Sequence, residues 1–147
     1  MSRTRRPGDA PRRLLTDWTT SAGVAGDGLL ALVAGEGVTP EGIHLATLGY
    51  EVFVLAAGDD LSRVHHVDVP ASELPAPWHE RFALVVTFDP EPAAALAAAL
   101  ADGGLMVVIG VEGHDVALPG LAEVTREVGP DPNDPAVTRY RLVMARV

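Results

Sequence analysis

Short apolar runs alternate with stretches of helical period along most of this chain. Leu29 to Ala34 is an unbroken apolar run that predicts a first strand, and it leads into Gly35-Glu36-Gly37. Thr39-Pro40-Glu41 then sets a capping threonine ahead of proline at the first helical position, predicting a helix through Leu48 that Gly49 ends. Glu51 to Ala56 and Val64 to Val69 predict the second and third strands, and Phe82 to Phe88 the fourth. Asp89-Pro90 introduces an alanine-rich helix over Glu91 to Leu100, which Gly103-Gly104 closes before a fifth strand, Leu105 to Ile109. Strands alternating with helices in this way are the pattern of βαβ units around a parallel sheet.

Two places break that alternation. Only residues 57–63 separate the second and third strands, whereas a parallel crossover needs a dozen or more, so a crossover helix is expected to be shortened or lost. At the other end, Leu121 to Val128 and Thr138 to Val147 both alternate and are joined by a segment rich in Gly, Pro and Asp, which predicts an antiparallel pair. Ahead of the first strand, Leu14, Leu15, Trp18 and Val24 share one face of a short helix. The expectation is a basic, flexible leader over residues 1–12, then a single α/β domain over 13–147. Its fold class is Rossmann-like: a doubly wound, mostly parallel sheet with a C-terminal antiparallel strand pair.

Charge changes the picture at the N-terminus. The net charge of −9 conceals five arginines against one acid in the first 13 residues, while the rest carries six arginines and nineteen acids. So acidic a body repels a phosphate backbone, which disfavours nucleic-acid binding through the domain face. The chain has no cysteine, which removes disulfides, thiolate metal sites and cysteine nucleophiles, and no lysine, which removes a phosphate loop of the Gly-x-x-x-x-Gly-Lys type. No Gly-x-Ser-x-Gly elbow occurs either. No run approaches the roughly 20 apolar residues needed to span a bilayer, and the expected location is cytoplasmic.

In an open parallel sheet, ligands bind at the carboxyl ends of the strands, where the winding reverses. Here that edge carries Gly35-Glu36-Gly37, Ala56-Ala57-Gly58, Asp68-Val69-Pro70, Thr87-Phe88-Asp89 and Gly110-Val111-Glu112. Ala34-Gly35-Glu36-Gly37, followed by the helix and strand from Gly42 to Val52, resembles the first motif of class I S-adenosylmethionine-dependent methyltransferases. Phe82-Ala83-Leu84-Val85-Val86 resembles that family's fourth-strand motif, and Leu100 to Val108 its following helix-turn-strand. The resemblance covers residues 28–110 and lies in the order of the pieces. It implies S-adenosylmethionine as the cofactor, held by Gly35, Glu36, Gly37 and Asp68, with an acceptor pocket at Asp89 and Glu112.

Departures from the family pattern are equally specific. Its usual carboxylates fall at Ala31, Ala56 and Ala83, and a usual glycine falls at Val33. Losing a charged hydrogen bond to a ribose costs about 1.5–3 kcal/mol, or ten- to a hundredfold in affinity. Asp59 or Asp60 could reach back to make good part of it. The first reading is therefore a methyltransferase-like domain with weak or lost cofactor binding, acting as a binding or regulatory module toward a protein partner or a second copy. The alternative is an active methyltransferase of small molecules, since methyl transfer depends largely on alignment.

The remaining polar residues have plainer readings. Glu36 and Asp89 also suit helix starts, and His44 suits a half-buried packing position. Alternation sends His65 and His66 to opposite faces, while His66 and Asp68 share one, so no metal site is expected even with His79 or His114. No catalytic residue is assigned.

Overall fold

The computed structural model describes residues 9–111 and 118–146. Helix α1 (Arg13–Ser21) precedes β1 (Leu30–Ala34), α2 (Thr39–Thr47), β2 (Glu51–Val54) and β3 (Val64–His66). Two single 3-10 turns, Ala71–Glu73 and Ala76–Trp78, lead to β4 (Phe82–Thr87), followed by α3 (Ala93–Ala97), β5 (Leu100–Val111), β6 (Leu121–Asp131) and β7 (Asp134–Arg146). The seven strands form one sheet in the order β3-β2-β1-β4-β5-β7-β6. The first five run parallel, with Val33 opposite Val54 on one side and Val86 on the other. β7 enters antiparallel between β5 and β6. This is the doubly wound, mostly parallel sheet with a C-terminal antiparallel pair that the pattern predicts.

Strand alternation divides the core into two layers. Ala31 and Val33 face Leu15, Trp18 and Leu45 from α1 and α2 on one side of the sheet. Leu32 and Ala34 face the other layer, where α3 contributes Ala93, Leu96 and Ala97. On that side Phe53, Trp78 and Phe82 pack edge to face with ring centroids 5.3–5.8 Å apart. Trp78 therefore belongs to the apolar layer that the β3–β4 connection and α3 lay over this face, in a geometry favourable for aromatic rings. Among the described residues, no helix is long and apolar enough to cross a membrane.

Several boundaries differ from the sequence expectation for identifiable reasons. No helix joins β2 to β3, as the short connection requires. β3 ends at His66, not Val69, so Asp68 lies beyond it, exposed, and does not share a strand face with His66. The alanine-rich segment keeps only five residues of helix, because Leu100 is wholly buried and pairs with Phe82 as the first residue of β5. A register shift between Phe82 and Leu84 absorbs residues 101–104, with Gly103 at φ 76° supplying the turn. Likewise the Gly129 to Pro135 segment is mostly strand rather than loop: Asp131 pairs with Asp134 around Pro132-Asn133, and the Asp131 carboxylate accepts the Asn133 amide at 2.9 Å. Pro130 is tolerated because β6 is the sheet edge.

Candidate functional site

The winding reverses between β1 and β4, and there the chain turns away from the sheet on both strands. Past β1, Gly35 adopts φ 137° and Gly37 φ 62°, backbone that side chains rarely accept. A Cβ on Gly35 would lie 3.0 Å from Val38 Cγ1 and 3.2 Å from Phe88 Cβ, so glycine is what lets the two strand ends close together. The Phe88 amide donates to the Ala34 carbonyl at 3.1 Å and fixes that approach.

Above this junction lies a cavity of about 280 Å³ lined by Arg12, Leu14, Glu36, Phe88, Asp89, Ile109, Asp131 and Arg139. Glu36 and Asp89, both expected at the site, are thus brought together. Asp89 does not cap α3, which begins four residues later. Its carboxylate instead accepts the Glu91 amide at 3.1 Å, and its carbonyl accepts the Thr87 hydroxyl at 2.7 Å, in a tight local turn. Asp68 does not line this cavity, and Glu112 and His114 lie outside the described residues.

Three charged residues of the cavity wall are not predicted from the sequence. Arg139 and Asp131, facing each other across the β6–β7 hairpin, form an ion pair of 2.6 Å. The third is Arg12, at the end of the basic segment. Its backbone amide and its guanidinium each donate to the Glu41 carboxylate at 2.8 Å, and the guanidinium also donates to the Glu36 carbonyl at 3.2 Å. The same guanidinium stands 4.5 Å from the centroid of the Phe88 ring. Glu41, in the first turn of α2, is wholly buried. In the sequence the only signal for these residues is charge: an acid among the apolar positions of α2 and an excess of arginine upstream.

At the β2–β3 end of the same edge, histidines fill the space. His66 Nε2 lies 3.0 Å from the Thr39 hydroxyl, and the His66 amide donates to Asp60 at 2.8 Å. That amide bond is the chief reason the Asp60 carboxyl titrates below its ordinary range. His65 lies 3.0 Å from Glu51 and 3.5 Å from Asp60; the hydrogen bond to Glu51, seconded by Asp60, raises its pKa. Asp60 is therefore turned toward β3 and spoken for. Ala56 packs partly buried against the core and Ala31 is wholly buried, so neither offers a polar group. His44 meets the Thr19 hydroxyl at 2.9 Å, and burial lowers its pKa. Among the described residues, no three acid or histidine side chains converge as a metal site.

No protein-family model matches the chain, and no curated protein matches it in sequence. Solved structures do match its fold. The 1,6-didemethyltoxoflavin-N1-methyltransferase of Burkholderia thailandensis, solved with 1,6-didemethyltoxoflavin and S-adenosylhomocysteine, superposes with TM-score 0.69 at 14% identity, over 92% of this chain and 77% of that one. The geranyl diphosphate C-methyltransferase of Streptomyces coelicolor, solved with magnesium, geranyl diphosphate and S-adenosylhomocysteine, gives 0.66 at 12% identity, over 91% and 78%. The cyclase SpnF gives 0.65 at 14% identity, over 90% and 79%. At these identities the likeness is one of fold alone: the chain has a class I methyltransferase-like fold.

Proposed function

Given a class I methyltransferase-like fold, we propose that this chain is an S-adenosylmethionine-dependent methyltransferase acting on a small molecule. The observation that carries the reading is the glycine turn at the β1–β4 reversal, where a Cβ on Gly35 would collide with Val38 and Phe88 and from which Glu36 reaches the cavity of about 280 Å³. Backbone groups of Gly35 and Gly37, with Glu36, would hold the cofactor, and Asp68 would contact it from beyond β3. The cofactor supplies an activated methyl group. The chain's own part is alignment, worth a large share of such a barrier once the acceptor stands in line. Asp89 lines the same cavity as Glu36 and would orient the acceptor's nucleophilic atom and receive its proton. Glu112 is a further candidate for that pocket.

Holding without an acid past β2 implies modest cofactor affinity, because Ala56 replaces the acid expected to grip the ribose and Asp60 is engaged with β3. Methyl-labelled S-adenosylmethionine incubated with the protein and a panel of small amines, alcohols and carbon acids tests the reading. Label appearing in one of them, with stoichiometric S-adenosylhomocysteine, supports it; cofactor left intact across the panel counts against it.

A second reading keeps the fold and drops the reaction: a binding or regulatory module that has lost useful cofactor affinity. Its specific support is the trio Ala31, Ala56 and Ala83 together with Arg12, whose guanidinium is lodged beside the glycine turn.

A further inference from the structure

The Arg12 guanidinium makes three contacts that any small, flat cation would make: one with the Glu41 carboxylate, one with the Glu36 carbonyl and one with the face of Phe88, while its backbone amide holds the other Glu41 oxygen. Glu41, Glu36 and Phe88 all belong to the body of the domain. Glu41 is wholly buried in the first turn of α2, and a buried carboxylate needs a cation or several donors beside it. The Phe88 ring adds the negative face that favours guanidinium and alkylammonium groups. The cradle thus recognises charge and shape independently of the segment that now fills it. Its occupant is only loosely covered, the Arg12 side chain being 29% exposed, and it opens onto the cavity that Asp89 and the Asp131–Arg139 ion pair also line.

We infer that this cradle is a recognition site for a small organic cation of the guanidinium, amidinium or alkylammonium class. Arg12 is its built-in occupant and competes with the ligand. The Arg12 side chain therefore fills the cradle until a cation takes the place of its guanidinium. On the methyltransferase reading the cation would be the basic group of the acceptor, but the site itself does not depend on cofactor binding.

The test uses the full chain carrying Arg12→Ala, with ethylguanidinium as the probe and N-ethylurea, its neutral counterpart in shape, as the control. Ethylguanidinium is expected to raise the Tm of Arg12→Ala and to bind it saturably, while N-ethylurea does neither and the wild type, whose own guanidinium competes, needs higher concentrations of ethylguanidinium for the same shift. Adding Phe88→Leu to Arg12→Ala should weaken probe binding about three- to thirtyfold. If Arg12→Ala is too unstable to isolate, Arg12→Gln keeps most of the stem and carries the same comparison. Equal responses of variant and wild type, equal responses to the two compounds, or indifference to Phe88→Leu would overturn the proposal. Because no S-adenosylmethionine is present, these outcomes are separate from failure of the methyltransferase reading.

Discussion

The Thr39 hydroxyl and His66 Nε2 lie 3.0 Å apart and join the first turn of α2 to the last residue of β3. Gly58 packs against the same imidazole, where a Cβ would come within 2.8 Å of His66 Cδ2. This contact stands in for the crossover helix missing between β2 and β3. Thr39→Val should cost about 0.5–1.5 kcal/mol in urea denaturation, with hydrogen exchange of the β2–β3 amides accelerating first. Unchanged exchange there would show that the pair is incidental.

The ion pair between Arg12 and Glu41 should matter to folding because one partner has no access to water. Arg12→Ala takes the guanidinium from a buried carboxylate that keeps the residue-12 backbone amide, and should cost about 1–3 kcal/mol, the worth of one charged hydrogen bond. Arg12→Ala combined with Glu41→Leu should recover much of the loss, giving a non-additive double-mutant cycle. An additive cycle would mean that the two side chains do not support each other.

Two histidines should bend the pH dependence of stability in opposite directions. His65 has its folded pKa raised, chiefly by the Glu51 hydrogen bond, so its contribution is complete below the unfolded value of about 6.5 and is lost as pH rises through the folded value. His44 has its folded pKa lowered by burial, so stability falls as pH drops from that unfolded value through the folded one. In chemical denaturation, His65→Gln should be destabilising under mildly acidic conditions and nearly silent at alkaline pH. A difference from wild type that stays constant across the range would rule out this linkage.

Gly35→Ala tests the closeness of the strand ends. With φ at 137° and Val38 and Phe88 within 3.0–3.2 Å of the added Cβ, it should lower stability by about 1–3 kcal/mol. It should also abolish any ligand binding at the turn, as followed by calorimetry. Retained binding at reduced stability would move the ligand away from the glycine turn.

Ala56→Asp restores a carboxylate past the end of β2. It should strengthen S-adenosylhomocysteine binding about ten- to a hundredfold, the worth of one charged hydrogen bond. No gain would indicate that the ribose does not lie over Ala56.

The strands that are buried on both faces were legible as apolar runs: β1 and β4 lie within a residue of the predicted bounds, and the missing β2–β3 crossover follows from residue count. Periodicity failed where tertiary pairing overrode local propensity. Leu100 reads as the end of an alanine-rich helix, yet burying it against Phe82 draws it into β5, and Pro130 reads as loop although an edge strand accommodates it. Within the candidate site, Glu36 and Asp89 follow from their place at strand ends. Arg12 and the Asp131–Arg139 pair do not, because each is brought there by contacts that no local pattern encodes, across 29 residues for Arg12 and Glu41 and across a hairpin turn for the other two.

The most direct test of the methyltransferase reading is calorimetric titration of the wild-type chain with S-adenosylmethionine and, separately, with S-adenosylhomocysteine. The account predicts saturable one-to-one binding of both, in the range of about 1 μM to 1 mM, weakened by Asp68→Ala. No binding of either at millimolar ligand would contradict it.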